Sequence, residues 1–380
     1  MVDKPAPLAT SSGHPHLNRP LSIYLDLLRF TAALVVFLSH ATNARYTSYL
    51  AGTMGPFAHD GVIVFFVLSG FVIAYVSTCK EHSARDYGLS RAARIYSVAL
   101  PAILLTMALD LLRTIYVPTF HEYQFHKLWF YIPLWTAFGT DWWFLNENML
   151  SNGPFWSLSY EVWYYVIFGS LFYFRGRKRW IFAVIALAIV GPRQWLLFPI
   201  WLSGCALYHV HERHELGRGL ARSIFLGSIA IYLLLKFTHT FDAINATVNV
   251  WFGNWPVDKL RYSQFFAGDY LIATLVLMNI YSARYCEFAI LSRCSRWVTL
   301  AASFTFSLYL FHMPLMKFYS TLMHVNPHSR LMYALLLGLT VTSVVLLGTV
   351  TEWRKHTLRR WLALGLDQLQ RIRLARTPAA

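Results

Sequence analysis

Residues 21–41 read LSIYLDLLRFTAALVVFLSHA. The run is apolar and about twenty residues long, enough to cross a bilayer as a helix. It nevertheless carries Asp26, Arg29 and His40. Ionisable groups in a membrane span are costly and face a bundle interior or a water-filled path. Arg29 and His40 are eleven positions apart, and at about 100° per residue eleven steps close three turns with about 20° left over. Both side chains therefore lie on one helix face, roughly 16 Å apart along the axis. Asp26 stands three before Arg29 on that face, where it can neutralise the guanidinium. One helix thus presents a cation near one membrane face and an imidazole near the other.

The rest of the chain extends this reading. Of 380 residues, 56% are hydrophobic and only 13% charged. A soluble domain of that length carries about a quarter charged residues. An aromatic share of 17% suits membrane-interface belts and packed spans. The net charge of +15 does not indicate nucleic acid, because the Lys and Arg fall between apolar runs rather than on one polar face. Cys79, Cys205, Cys286 and Cys294 form no CxxC pair, so neither a metal cage nor a redox motif is expected.

Ten apolar runs follow one another: 21–41, 61–78, 95–116, 154–174, 180–190, 196–210, 222–239, 263–282, 297–316 and 331–350. Residues 1–20, rich in Pro, Ser and His, read as a disordered cytoplasmic tail. Residues 21–351 read as one transmembrane domain and 352–380 as a basic cytoplasmic tail that meets anionic lipid. Residues 192–195 read as a turn. The aromatic segment 127–145 fits an interfacial or re-entrant helix, or a full span. With the N-terminus in the cytoplasm and 127–145 not crossing, inside segments hold 23 of the 33 Lys and Arg and outside segments hold seven. That asymmetry favours an all-α polytopic bundle of about ten spans with both termini cytoplasmic.

This topology sorts the polar residues. His40, His59, Asp60, Glu161 and His312 fall toward the outside, and Arg29, Arg91 and Arg94 toward the inside. A carboxylate and an imidazole suit acid–base work, and planar guanidinium forks suit phosphates. Ser69 and Gly70 fit close helix packing. Trp156, Tyr164 and Tyr165 fit aromatic belt and core.

Five motifs in order resemble the membrane-bound acyltransferase 3 family. They are Arg29 and His40 across ten residues; GVIVFFVLSGF at 61–71, with Ile63 where the family has an acid; Arg91 and Arg94 in SRAARIYS; Trp156, Ser157, Leu158, Glu161 and Tyr165; and Ser307, Leu308, Tyr309, Leu310 and His312. The resemblance implies a bacterial inner-membrane enzyme that moves an acyl group, often acetyl, from cytoplasmic acyl-CoA to a hydroxyl of an extracytoplasmic or lipid-linked glycan, without a metal. It implies His40 as the catalytic histidine, Arg29 as its functional partner, and Arg91 and Arg94 as acyl-CoA contacts. Asp26, Asp60, Ser69, Trp156, Tyr309 and His312 are support or substrate residues.

The chemistry is consistent with these roles. A sugar hydroxyl is a poor nucleophile until a base takes its proton, and neutral imidazole does so near pH 7. Glu161 is expected to orient His40 or to position the acceptor. Direct transfer and an acyl-histidine intermediate both fit. Two other classes stay open: a secondary transporter using Asp26, Arg29 and Glu161 as an intramembrane path, and a non-enzymatic membrane scaffold. The sequence has no internal repeat of the kind transporters often carry.

Overall fold

The computed structural model describes residues 17–117, 125–211, 215–253, 257–286 and 288–376. These residues form helices and loops, with no strand beyond an isolated bridge between Met149 and Asn152. Helix α1 is Arg19–Ala41, α2 is Ala58–Cys79 and α3 is Ala84–Tyr116. The short α4, Leu128–Thr136, precedes α5, Phe155–Tyr173, then α6, Arg177–Val190, and α7, Pro192–Val210. Next come α8, Arg218–Phe237, α9, Thr240–Trp251, and α10, Phe266–Ala283. Helices α11, Ala289–Arg293, and α12, Ser295–Ala302, lead into α13, Thr305–Leu322. Helices α14, Arg330–Val350, and α15, Lys355–Arg376, follow.

The apolar runs fall on these helices, with differences that have local causes. The run 297–316 is broken, because α12 and α13 meet at a 50° bend. The turn expected at 192–195 shrinks to Gly191, whose φ of +80° carries the reversal. Pro192 already begins α7, where a missing N–H costs nothing. The segment 127–145 does not cross, since its only α-helix, α4, has nine residues, about 14 Å. Residues 352–376, expected as a tail, form a 3-10 turn at Glu352–Arg354 and then α15. Residues 1–16 of the expected N-terminal tail lie outside the described residues. Helix α1 starts beside Asn18, whose side chain accepts from Leu21 N at 3.0 Å.

Among the described residues, six helices qualify as membrane spans by length and apolarity, or seven if the bent pair counts as one. The ten runs exceed that number because α6 has only fourteen residues, and α5 and α7 dilute their hydropathy with Tyr, Trp and other polar groups.

Side-chain bonds gather the loops at two ends. At one end Ser151 N donates to Asp110 at 2.9 Å, Arg113 Nε donates to Thr321 at 3.0 Å, and Ser48 meets the Pro327 carbonyl. In the same region a buried knot forms, in which Arg261 Nη1 reaches Asp141 at 2.7 Å and Arg193 Nη1 lies 3.7 Å from it. Burial pushes the Asp141 carboxyl above its ordinary range, and the two arginines hold it back. At the other end Tyr173 donates to the Glu81 carbonyl at 2.8 Å, Tyr285 to the His211 carbonyl at 3.1 Å, and Arg85 to Asp367 at 2.5 Å.

Helix α2 lies at the centre, with Ile63, Val67 and Phe71 fully buried. It is locked to α7 by two glycines. A Cβ on Gly70 would lie 1.9 Å from the Trp201 carbonyl oxygen, and one on Gly204 would lie 2.1 Å from that of Val67. Both obstacles are backbone, so neither can swing aside. Small residues let helix backbones approach this closely in a membrane. Gly70→Ala is therefore expected to destabilise by at least about 1–3 kcal/mol, seen as a lowered melting midpoint of the detergent-solubilised protein. Gly338→Ala, which meets open space, serves as the control. An unchanged midpoint for Gly70→Ala would refute the close contact.

Candidate active site

Arg29 lies on α1 with Asp26 at 3.6 Å, the i, i+3 pair expected from the sequence. Its guanidinium enters a narrow cavity of about 80 Å³. Helix α3 adds Arg91 and Arg94 to the wall, α2 adds Ser69, α5 adds Glu161 and α13 adds Tyr309. The cavity is partly neutralised. Arg91 Nη2 donates to Glu81 at 2.8 Å. Glu352, just past α14, lines the same space and accepts from Ser307 N and Oγ at 3.0 and 2.8 Å.

Ser69 is more than a small packing residue. Its hydroxyl donates to Glu161 Oε1 at 2.6 Å and itself accepts from Trp201 Nε1 at 3.1 Å. Tyr165 also donates to Glu161 Oε1. The carboxylate is thus held beside the arginines. Glu161 was expected toward the outside, to orient His40 or to position the acceptor; the first of these roles is corrected, because Glu161 bonds to Ser69 and Tyr165 and not to His40. Residues 149–152, which precede α5, are buried in the bundle, so α5 begins below the surface and carries Glu161 deeper than its place in the run suggests.

His40 instead meets His312. Its Nδ1 lies 2.9 Å from His312 Nε2, with the rings near parallel at a centroid distance of 5.2 Å. The other nitrogen of His312, Nδ1, lies 2.7 Å from the Leu308 carbonyl. A carbonyl only accepts, so His312 Nδ1 carries a proton. With both rings neutral, His312 Nε2 bears a lone pair and must accept from His40. His40 is then protonated on Nδ1, and its Nε2 holds the free lone pair. His312 is fully buried. Its helix is fixed nearby by Pro314, which has no N–H and so frees the Leu310 carbonyl; Asn152 Nδ2 fills that gap at 2.9 Å.

His40 lines a second cavity, about 210 Å³, with Asn43, Arg45, Tyr46, Met313 and Lys317. Arg29 and His40 therefore sit on one helix but line different cavities. Between them, on α13, stand Tyr309 and, three residues on, His312. Tyr309 is bonded to Ser157 at 2.5 Å and lies edge-on to Phe65.

The remaining expected residues gather elsewhere at the His40 end. Asp60 Oδ2 takes Lys236 Nζ at 2.6 Å and the Tyr232 hydroxyl at 2.7 Å. Trp156 stacks on Tyr262 at 4.1 Å and faces His59 at 6.1 Å. Glu81, Glu352, Trp201 and Asp269 were not singled out from the sequence. Glu352, Trp201 and Asp269 meet partners 45, 132 and 210 positions away, and Glu81 meets Arg91 ten positions on, across the turn between α2 and α3.

The family model of an acyltransferase domain, acyltransferase 3, matches residues 22–349, from the start of α1 almost to the end of α14. The chain belongs to the acyltransferase 3 family. No curated protein and no solved structure matches it. Membership makes this chain an acyltransferase, and its apolar helices make it a multi-pass membrane protein. Among the described residues of this acyltransferase 3 protein, no group of His, Cys, Asp or Glu is placed to hold a metal ion.

The proton bookkeeping can be checked by ¹⁵N NMR of histidine-labelled protein, with His40→Ala identifying the signal. His40 should show a protonated Nδ1 and an unprotonated Nε2. The opposite tautomer would break the hydrogen-bond chain drawn here.

Proposed function

We propose that this protein transfers an acyl group, acetyl in the simplest case, from acyl-CoA to a hydroxyl of a glycan or glycolipid acceptor, with His40 as the base. The observation that carries this reading is the placement on one helix of a guanidinium in a cationic cavity and an imidazole whose free nitrogen is set by a buried relay. In this reading ten helices alternate across a bacterial inner membrane, both termini are cytoplasmic, and the His40 end faces outward. The 23-to-7 distribution of Lys and Arg supports that orientation.

Each part of the site has a task. Arg94 and Arg29, with Arg91, hold the phosphates of acyl-CoA at the cytoplasmic mouth. Arg91 is already paired with Glu81 at 2.8 Å and Arg29 with Asp26 at 3.6 Å, so Arg94 carries more of this load. The cavity, about 80 Å³, is smaller than a usual ligand site of about 300–1,000 Å³, so in this reading the nucleotide stays outside it and the bundle widens for the arm. The pantetheine arm would run along it toward Tyr309, one helical turn from His312 and about 4.5 Å away along the axis. The acceptor hydroxyl approaches from the other side. Its oxygen bonds to the thioester carbonyl carbon as its proton passes to His40 Nε2. The carbon–sulfur bond then breaks, and the proton goes on to the CoA thiolate. Glu161 holds Ser69 and Tyr165 in place along the donor path. Low dielectric around the carbonyl strengthens any donor aimed at its oxygen.

Three substitutions test the assignment, read as CoA release from acetyl-CoA by protein in native membranes and as acylation of envelope glycans by mass spectrometry. His40→Ala should lower turnover by about 10²–10⁴-fold, the usual share of a general base. His312→Ala should lower kcat by at least about tenfold while KM for acetyl-CoA stays near wild type, because only the tautomer and aim of His40 are lost. Arg94→Ala should raise that KM by about tenfold or more, the cost of one charge-assisted hydrogen bond. Wild-type-like transfer by His40→Ala would remove it from the mechanism.

A further inference from the structure

Beside the His40 end lies a third cavity of about 440 Å³, within the range of small-molecule sites. It is built where the first turn of α2, the last turn of α8 and the first turn of α10 meet beneath α9. His59 Nε2 points between both oxygens of Asp269, at 3.0 and 2.9 Å, and Asp269 is 1% exposed. Beside it, Asp60 takes Lys236 and Tyr232 on one oxygen, Oδ2. Two hydrogen-bonding atoms are left over. The buried Nδ1 of His59 has no partner, and Asp60 keeps Oδ1. Purely structural ion pairs would close on each other, but these wall a space large enough for a ligand.

The wall also defines the ligand. Three carboxylates line the cavity with one lysine: Asp60 is paired with Lys236, Asp242 with His239 and Asp269 with His59, so among the described residues no unpaired cation is left there to hold a phosphate or sulfate. Phe57 and Phe265 supply flat apolar faces, with Phe265 edge-on to His59 at 5.3 Å. Carboxylates that accept from hydroxyls, next to aromatic faces that meet C–H groups, match a sugar ring that is neutral or carries an amino group. The position matches an acceptor. Thr53 and Gly55 form part of the wall. Between them, the Met54 carbonyl accepts from the Ser39 hydroxyl at 2.6 Å, and Ser39 is the residue before His40.

We propose that this cavity is the acceptor-recognition site and takes an uncharged or amino-bearing pyranose, whose hydroxyl or next residue then reaches His40. The proposal rests on the acyl-transfer reading above but is tested without acyl-CoA. The protein in lipid nanodiscs is probed by saturation-transfer NMR with methyl β-glucoside and methyl β-glucosaminide, with glucose 6-phosphate as the charged control. Saturation should pass to at least one of the first two and not to the phosphate. Asp60→Asn should weaken binding by about tenfold, as expected for a lost charged hydrogen bond, and Asp269→Asn should weaken it by freeing the His59 ring that Asp269 aims. Thr53→Trp, which fills the opening without touching the ion pairs, should abolish binding even if the carboxylate variants unfold. Absence of transfer to both glycosides in the wild type, or undiminished binding in Thr53→Trp, would overturn the assignment. Wild-type protein that binds the glycosides but releases no CoA from acetyl-CoA with native envelopes would instead overturn the acyl-transfer reading and leave the cavity as a pyranose-binding site without the acceptor role.

Discussion

An imidazole inside an apolar bundle must have both ring nitrogens accounted for, and here one backbone carbonyl sets the whole sequence. Leu308 O accepts a hydrogen bond from His312 Nδ1. That choice makes His312 Nε2 an acceptor, makes His40 Nδ1 a donor, and leaves His40 Nε2 as the base. No carboxylate contacts either ring through a hydrogen bond among the described residues. The pair is therefore unlike a base propped by an acid: its orientation comes from a neutral relay anchored in a helix. Burial of His312 is part of the device, since water would otherwise compete for Nε2.

The relay holds only if α1 and α13 keep their register, and the packing around them shows how that is secured. The Gly70–Gly204 contact presses α2 against α7 backbone to backbone. Helix α2 in turn packs on α1. Asn152, from the buried segment before α5, binds the carbonyl that Pro314 frees on α13. The same buried segment places Glu161 among the arginines. One irregular stretch of chain thus steadies the histidine pair and shapes the arginine cavity.

Much of this was legible in the sequence. The eleven-residue spacing of Arg29 and His40, the Asp26–Arg29 pair and the helical runs follow from periodicity and hydropathy, which are local. Five motifs in order pointed to the acyltransferase 3 family. What the sequence did not reveal was depth. Counting residues from the start of a run assumes that every helix begins at the membrane surface. The segment before α5 is buried in the bundle, so Glu161, expected toward the outside to orient His40 or to position the acceptor, lies beside Ser69. Pairings across the bundle were equally hidden. His59 and Asp269 are 210 positions apart, and Glu352 reaches Ser307 from the far side of α14. Nothing in either local stretch announces its partner. The break between α12 and α13 was also missed, because hydropathy averages across a bend.

The central claim is that one helix joins the donor's charged head at Arg29 to a proton acceptor at His40. The most direct measurement is a cryo-electron microscopy structure with a non-transferable thioether analogue of acetyl-CoA. The account predicts phosphates at Arg29 and Arg94, a pantetheine arm running past Tyr309, and the analogue's acyl carbon near His40, within about 4 Å once the acceptor oxygen is allowed for. An analogue bound with its acyl end away from α1, or with His40 Nε2 sealed from it by ordered side chains, would contradict the account.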